Sequence, residues 1–273
     1  MHCQRKSTVK LTTVGVYVIS ALSLTFSHFS YSQNKINNNN STANSQIKQT
    51  IPTKIDNFSI PHTNKEINID GELTDGAWQQ ALTIPLNIVN DPWNNLPSPV
   101  KTTAKIIENG EYLYVSFLAD DPNPEKIMGF LGDRDTKWGD DLVGLKLDTF
   151  NSRRLNYTFL VNPFGVQNDS IQNEVTGDNN YLWDGIWQSY GKITKQGYQV
   201  EIAIPFNSLN FEQGKQLKTW AIELVRLYPR DERLRISHMA IDRNNACWIC
   251  QMPEITGFKD AKIGKILHLL LLL

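Results

Sequence analysis

The chain is poor in cysteine, in charge of one sign and in long helical periodicity, and each shortage excludes something. Three cysteines in 273 residues do not make a disulfide-dense scaffold, and the two beyond the amino terminus share one Cys247-Trp248-Ile249-Cys250 segment. At that spacing they can close a small disulfide in an oxidising compartment, act as a redox pair, or remain free thiols. A zinc site needs two further ligands, and His238 is the nearest candidate. Lys and Arg number 27 against 28 Asp and Glu, so there is no basic footprint for nucleic acid. Apolar residues spaced by three and four over long windows are missing, which argues against a helical architecture. Gly-x-Ser-x-Gly, His-Glu-x-x-His and a phosphate-binding glycine loop are all absent, leaving nucleophilic hydrolase chemistry without a foothold.

The two ends differ from the middle. Residues 1–32 carry cations at Arg5, Lys6 and Lys10, an apolar stretch from Leu11 to Phe26 and a small-x-small end at Ser30-Tyr31-Ser32. That is the layout of a secretory signal cleaved before Gln33, and it predicts an exported protein in the periplasm, outer membrane or cell surface. The apolar stretch is broken by Thr, Ser and Gly, and falls short of the roughly 20 apolar residues that a spanning helix needs. Residues 33–53, rich in Asn, Ser and Thr, hold too few large apolar groups to offset the entropy of ordering them, and read as a disordered linker. Residues 266–273 run into five terminal leucines, too short to span a bilayer as a helix, and read as an aberrant or truncated tail.

Between them, residues 54–265 show short alternating segments separated by turn residues, the pattern of an all-β sandwich or barrel. Lys101–Glu108 and Tyr112–Ala119 flank Asn109-Gly110, a hairpin signal that predicts a type I′ turn. Further strands are expected over Leu142–Thr149, Leu155–Val161, Val166–Ile171, Gly185–Ile193, Tyr198–Ile204, Thr219–Leu227 and Arg233–His238. In Leu142–Thr149, Val143, Leu145 and Leu147 should face a core, and Gly144, Lys146 and Asp148 the other side. One short helix is expected near Thr74–Ala81, capped by Thr74.

Four blocks in this order, Ile69-Asp70-Gly71 through Trp78, Tyr112-Leu113-Tyr114-Val115, Trp138-Gly139-Asp140-Asp141, and Glu201 through Pro205, resemble family 9 carbohydrate-binding modules. Arg134-Asp135, Leu147 through Phe150, Val161-Asn162-Pro163 and Trp183 through Trp187 are similar to the family-9-like domain that begins large exported bacterial proteins with a C-terminal outer-membrane β-barrel-like segment. The resemblance implies an antiparallel β-sandwich of jelly-roll type that binds poly- or oligosaccharide, in company with glycoside hydrolysis or carbohydrate uptake. It also implies two tryptophans that sandwich a sugar, matched here by Trp138 and Trp248. The family's sugar-contacting glutamate and arginine fall near Gly144 and Phe159-Leu160, where this sequence lacks both.

A sugar ring needs a flat aromatic surface and a few fixed polar groups. Trp138, Trp248, Trp183, Trp187 and Asp141 are therefore the carbohydrate-binding candidates, with Trp93 as a weaker loop candidate, whereas Trp78 and Trp220 are expected in the core. Glycosidases use two carboxylates about 5–10 Å apart. Asp140 and Asp141 are adjacent, so on a strand they point to opposite faces and cannot flank one bond. No catalytic residue is assigned, and the chain is expected to be a binder and not an enzyme. Asp120, Asp121, Asp133 and Asp135 are candidates for a structural calcium ion, with solvated turn carboxylates as the plainer reading.

Overall fold

A computed structural model describes residues 57–212, 214, 218–258 and 261. The signal-like segment 1–32, the 33–53 linker and the 266–273 tail lie outside the described residues. The strands are β1 (Phe58–Ser59), β2 (Leu82–Pro85), β3 (Ile88–Asp91), β4 (Leu96–Pro97), β5 (Thr102–Glu108), β6 (Tyr112–Asp120), β7 (Leu142–Asp148) and β8 (Leu155–Val161). They continue as β9 (Gln167–Asn173), β10 (Asn179–Asn180), β11 (Gln188–Thr194), β12 (Gly197–Pro205), β13 (Lys218–Pro229), β14 (Arg233–Ser237) and β15 (Glu254–Gly257). The smaller sheet runs β11-β12-β6-β5-β2, and the larger β10-β9-β8-β7-β13-β14-β3-β4. β15 also lies on β13 and pairs in parallel with β1. The fold is the expected all-β antiparallel sandwich.

Period-two alternation decides which side chains enter the space between the sheets. Val143, Leu145 and Leu147 of β7, Tyr157, Phe159 and Val161 of β8, and Trp220, Ile222 and Leu224 of β13 share one core with Val115, Phe117, Val200 and Ile202 of the smaller sheet. The other face of the large sheet therefore carries Gly144 and Lys146 of β7, Thr158 and Leu160 of β8, and Glu223 and Val225 of β13.

Two turns differ from expectation. Only Gly110 of the Asn109-Gly110 pair has positive φ, at 85°, so the turn is not type I′. Instead Asn109 Oδ1 accepts the N–H groups of Glu111 and Tyr112 at 3.0 and 2.8 Å and holds a wider loop closed. The helix near Thr74–Ala81 is a single 3-10 turn, Gly76–Gln79, with Asp75 and not Thr74 at its N-cap and no side-chain capping bond. The Asp75 carboxylate is turned away to accept the Asn68 N–H at 2.8 Å.

The signature blocks meet in space. Glu201 on β12 accepts hydrogen bonds from Trp78 Nε1 at 2.9 Å, Gly71 N at 2.8 Å and Asp70 N at 3.1 Å. Gly71 has φ of 82°, and a Cβ there would sit 2.6 Å from the Tyr190 ring, so glycine is required both by conformation and by space. Burial raises the Glu201 carboxyl above its ordinary range, and the three donors oppose that rise.

The inward position of β13 after Leu224 is Arg226, a fully buried cation. Its Nη1 donates to Thr102 Oγ1 at 3.0 Å and to the Asp120 carbonyl at 2.8 Å, and Nη2 lies 3.5 Å from the Asp121 carboxylate. Its guanidinium also lies 5.3 and 5.0 Å from the Tyr198 and Tyr228 rings. Arg230 bridges Asp121 at 2.5 Å and Asp141 at 2.8 Å. A buried charge needs this pairing, because leaving one member alone costs several kcal/mol.

Candidate functional site

The outer face of the large sheet carries an aromatic and polar surface. At one end Trp138 lies on a small apolar cluster of Leu142, Leu160, Val225 and Leu227. Its Nε1 donates to the Asp135 carbonyl at 2.8 Å, its own carbonyl accepts from Arg233, and Tyr181 meets it edge-on with ring centroids 5.2 Å apart. Trp138 is partly exposed and stands on the opposite side of the sheet from the main core. At the other end Trp248 rests on Ala221, Met239, Ile241, Ile249 and Met252. Its Nε1 donates to Glu223 Oε2 at 2.8 Å, and its backbone N–H donates to Glu174 at 2.6 Å.

Between the two runs a polar row across five strands. Gln172 of β9 accepts from Lys146 Nζ of β7 at 2.7 Å and from Asn156 Nδ2 of β8 at 3.3 Å. Glu223 of β13 is held by Arg235 of β14, Nε at 3.2 Å and Nη2 at 2.6 Å. The Arg235 guanidinium lies 4.7 Å over the Trp248 ring. Burial alone would push the Glu223 carboxyl up, but the Arg235 and Lys146 charges outweigh it and hold the group below its ordinary value. Burial, helped by the Arg235 charge, lowers the Lys146 ammonium to about 8 against the pull of Glu223 and Glu174.

Gly144 lies on β7 between the Leu142 and Lys146 positions. A Cβ there would meet the Phe159 carbonyl oxygen at 1.9 Å, so the close approach of β8 excludes any side chain. The missing family glutamate is thus tied to strand packing, and Glu223 and Arg235 supply a carboxylate and a guanidinium on the same face from other strands.

The remaining candidates lie elsewhere. Trp187 is only 6% exposed, packs edge-on against Phe159 at 5.3 Å and donates from Nε1 to Asp169 at 2.9 Å. Trp183 is partly buried against Tyr157 and Phe159, with centroids 5.1 and 5.8 Å away. Both tryptophans pack toward the core side of β8; burial withdraws the Trp187 ring from sugar, which corrects that expectation, while Trp183 keeps partial exposure. Asp141 is likewise corrected: it is buried, its Oδ2 accepting from Met128 N at 2.8 Å and from Arg230 at 2.8 Å. Burial still raises its carboxyl above the ordinary range, with Arg230 opposing. Trp93 packs against the core and donates to Glu232 at 2.6 Å.

Among the metal candidates, Asp121 faces Arg226 and Arg230 and so has its cations already. Asp133 is exposed, with Thr136 Oγ1 bonded to its carbonyl at 2.6 Å. Asp135 gathers with Asp169 and Asp184, their oxygens within 4.8 Å of one another. Arg134 sits among these three carboxylates, 3.6 Å from Asp135, 3.4 Å from Asp184 and hydrogen-bonded to Asp169. A cation there would have to displace the guanidinium. Cys247 and Cys250 form a disulfide, the bonded state shared by the structural-bridge and redox-pair readings and not by the free-thiol one. His238 is taken up elsewhere, its Nδ1 3.2 Å from the Leu224 N–H.

The polar row was not singled out from the sequence. Lys146 reads there only as an outward position, and the pairing of β7 with β13, which brings it beside Glu223, joins residues far apart in the chain. An outward charged residue on each of several alternating strands is the signal that could have drawn attention to it.

Comparison with known proteins agrees with the architecture. A candidate carbohydrate-binding protein from Bacteroides uniformis is similar in structure, with a TM-score of 0.59 at 13% identity over 73% of this chain and 98% of that one. A family 9 carbohydrate-binding module from Caldicellulosiruptor kristjanssonii, solved with cellotriose, gives 0.52 at 17% identity over 73% and 92%. At such identities the likeness speaks for the fold. No curated protein matches the chain. Residues 69–244 match the family described as carbohydrate family 9 binding domain-like, and with that match covering more than half of its length, the chain belongs to this family.

Proposed function

We propose that this domain is a non-catalytic module that binds poly- or oligosaccharide on the outer face of its large sheet, with Trp138 as the stacking surface and Lys146 and Arg235 as the hydrogen-bonding groups beside it, the buried Glu223 holding Arg235 in place. The observation that carries this reading is Trp138 itself, a partly exposed indole fixed beside a polar row in a chain of a carbohydrate-binding family. Binding of cellotriose by a structural neighbour is consistent with it. The carboxylates of the Trp138 loop are engaged in structural bonds: Asp140 accepts from Phe130 N and Asn162, and Asp141 from Met128 N and Arg230. The reading includes export and a role in carbohydrate catabolism or uptake, as the recognition part of a larger envelope protein with a barrel-like segment. Fractionation of cells producing the tagged native gene product tests the export.

Isothermal titration against xylo- and gluco-oligosaccharides tests the binding. Trp138→Ala should weaken it by at least tenfold, as loss of an aromatic anchor does. Absence of binding across a broad panel of neutral and acidic glycans would remove the reading. A second reading, a structural envelope domain with a degenerate sugar site, is favoured by one observation: Arg235 covers the Trp248 ring that the family pattern would offer to sugar.

A further inference from the structure

Lys146 is a partly exposed cation of the outer face whose donors are incompletely satisfied. An ammonium has three donors, and the one hydrogen bond it makes among the described residues goes to the neutral Gln172 Oε1. The nearby acids are committed elsewhere. Glu223, its partner across β13, spends Oε1 on Arg235 and Oε2 on Arg235 and Trp248 Nε1. Glu174 accepts the Trp248 backbone N–H. Arg233, on the Trp138 carbonyl, adds a second cation at the Trp138 end of this face.

Reach and chemistry agree. Leu142, under Trp138, and Lys146 are four residues apart on one strand, roughly 13 Å at ordinary strand rise, a span that a short oligosaccharide bridges. No side chain rises between them at Gly144.

Resting on the sugar-binding reading above, we propose that the preferred ligand is an acidic glycan, in which the carboxylate of a uronic acid residue accepts from Lys146 Nζ while a neighbouring ring stacks on Trp138. Hydrogen bonds between two charged groups are roughly twice as strong as those between neutral groups. Methyl esterification keeps the shape of the sugar and removes the charge, so it isolates this contribution.

The test is titration of the whole protein with tri-galacturonic acid, its methyl ester and cellotriose at low salt. The acid should bind about tenfold tighter than the ester, the effect of one charge-assisted contact. Lys146→Gln should bring that ratio near one, and Lys146→Arg should preserve it. In the unaltered protein the ratio should fall as pH rises through about 8, where Lys146 loses its proton in a setting of Glu223, Arg235, Glu174 and Arg233; this arm stands if the Gln variant does not fold. A ratio near one in the unaltered protein, a ratio that survives Lys146→Gln, or a sulfated oligosaccharide bound in preference to the uronate overturns the proposal. If cellotriose alone binds, the uronate assignment fails and the carbohydrate reading stands. If none of the sugars binds, both fall.

Discussion

The Arg235 guanidinium lies 4.7 Å over the Trp248 indole while its Nε and Nη2 hold both oxygens of Glu223. One cation thus covers an aromatic face and neutralises a buried acid. Arg235→Ala should strand Glu223 and cost about 3 kcal/mol in denaturant-induced unfolding, as removal of one partner from a buried pair does. The pH dependence should change with it. Because the folded Glu223 pKa is depressed, the acid contributes stability above its ordinary value and loses it as pH falls through the folded one. The variant should lose that contribution, and a variant as stable as the parent would contradict the account.

Glu201 joins Trp78, Gly71 and Asp70. Glu201→Ala should leave an indole N–H and two backbone N–H groups without their acceptor, at roughly 2–3 kcal/mol by thermal unfolding. Trp78→Phe, which removes only one donor and part of the ring, should cost less.

His238 accepts the Leu224 N–H at Nδ1, and its Nε2 is buried with no partner among the described residues. The ring is held neutral, and burial lowers its pKa from 6.5 to about 4. The unfolded chain takes up the proton first as pH falls, so stability should drop from about pH 6.5 to about pH 4, by roughly 3 kcal/mol from this group. Differential scanning calorimetry across that range should show a shallower slope for His238→Gln.

The Cys247–Cys250 disulfide closes a loop with a sequence separation of only 3. On the chain-entropy relation so short a loop contributes roughly 2 kcal/mol. Reduction should lower the unfolding midpoint modestly and leave the sandwich folded by far-ultraviolet circular dichroism, while Trp248 fluorescence changes because that residue lies inside the loop. Full unfolding on reduction would show that the disulfide does more.

Much of the sandwich was legible because its longer strands alternate cleanly. β5 and β6 were marked out by their alternation and by Asn109-Gly110, and β8 by Leu155–Val161. β2, β3 and β4 escaped because they are segments of 4, 4 and 2 residues, too short for a period to register. The site was half legible. A lone Trp138 ahead of a strand can be found by inspection, whereas the burial of Asp141 and its bond to Arg230 depend on other strands and could not. The burial of Trp187 could not be read, because it depends on Phe159 of another strand. Arg226 was equally opaque, since an arginine at an inward position makes sense only once Asp121, Thr102 and two tyrosines converge on it.

The loop that carries Trp138 is fastened at several points. Asp140 Oδ2 accepts Phe130 N at 2.9 Å and Asn162 Nδ2 at 2.8 Å, Asn162 Nδ2 donates to the Phe130 carbonyl at 2.9 Å, and the indole is tied to Asp135. A ring fixed before the ligand arrives has little rotational freedom left to lose. On the proposed sugar-binding reading, encounter then needs no rearrangement of the indole, so ligands that share this platform should arrive at similar rates and differ chiefly in how long they stay.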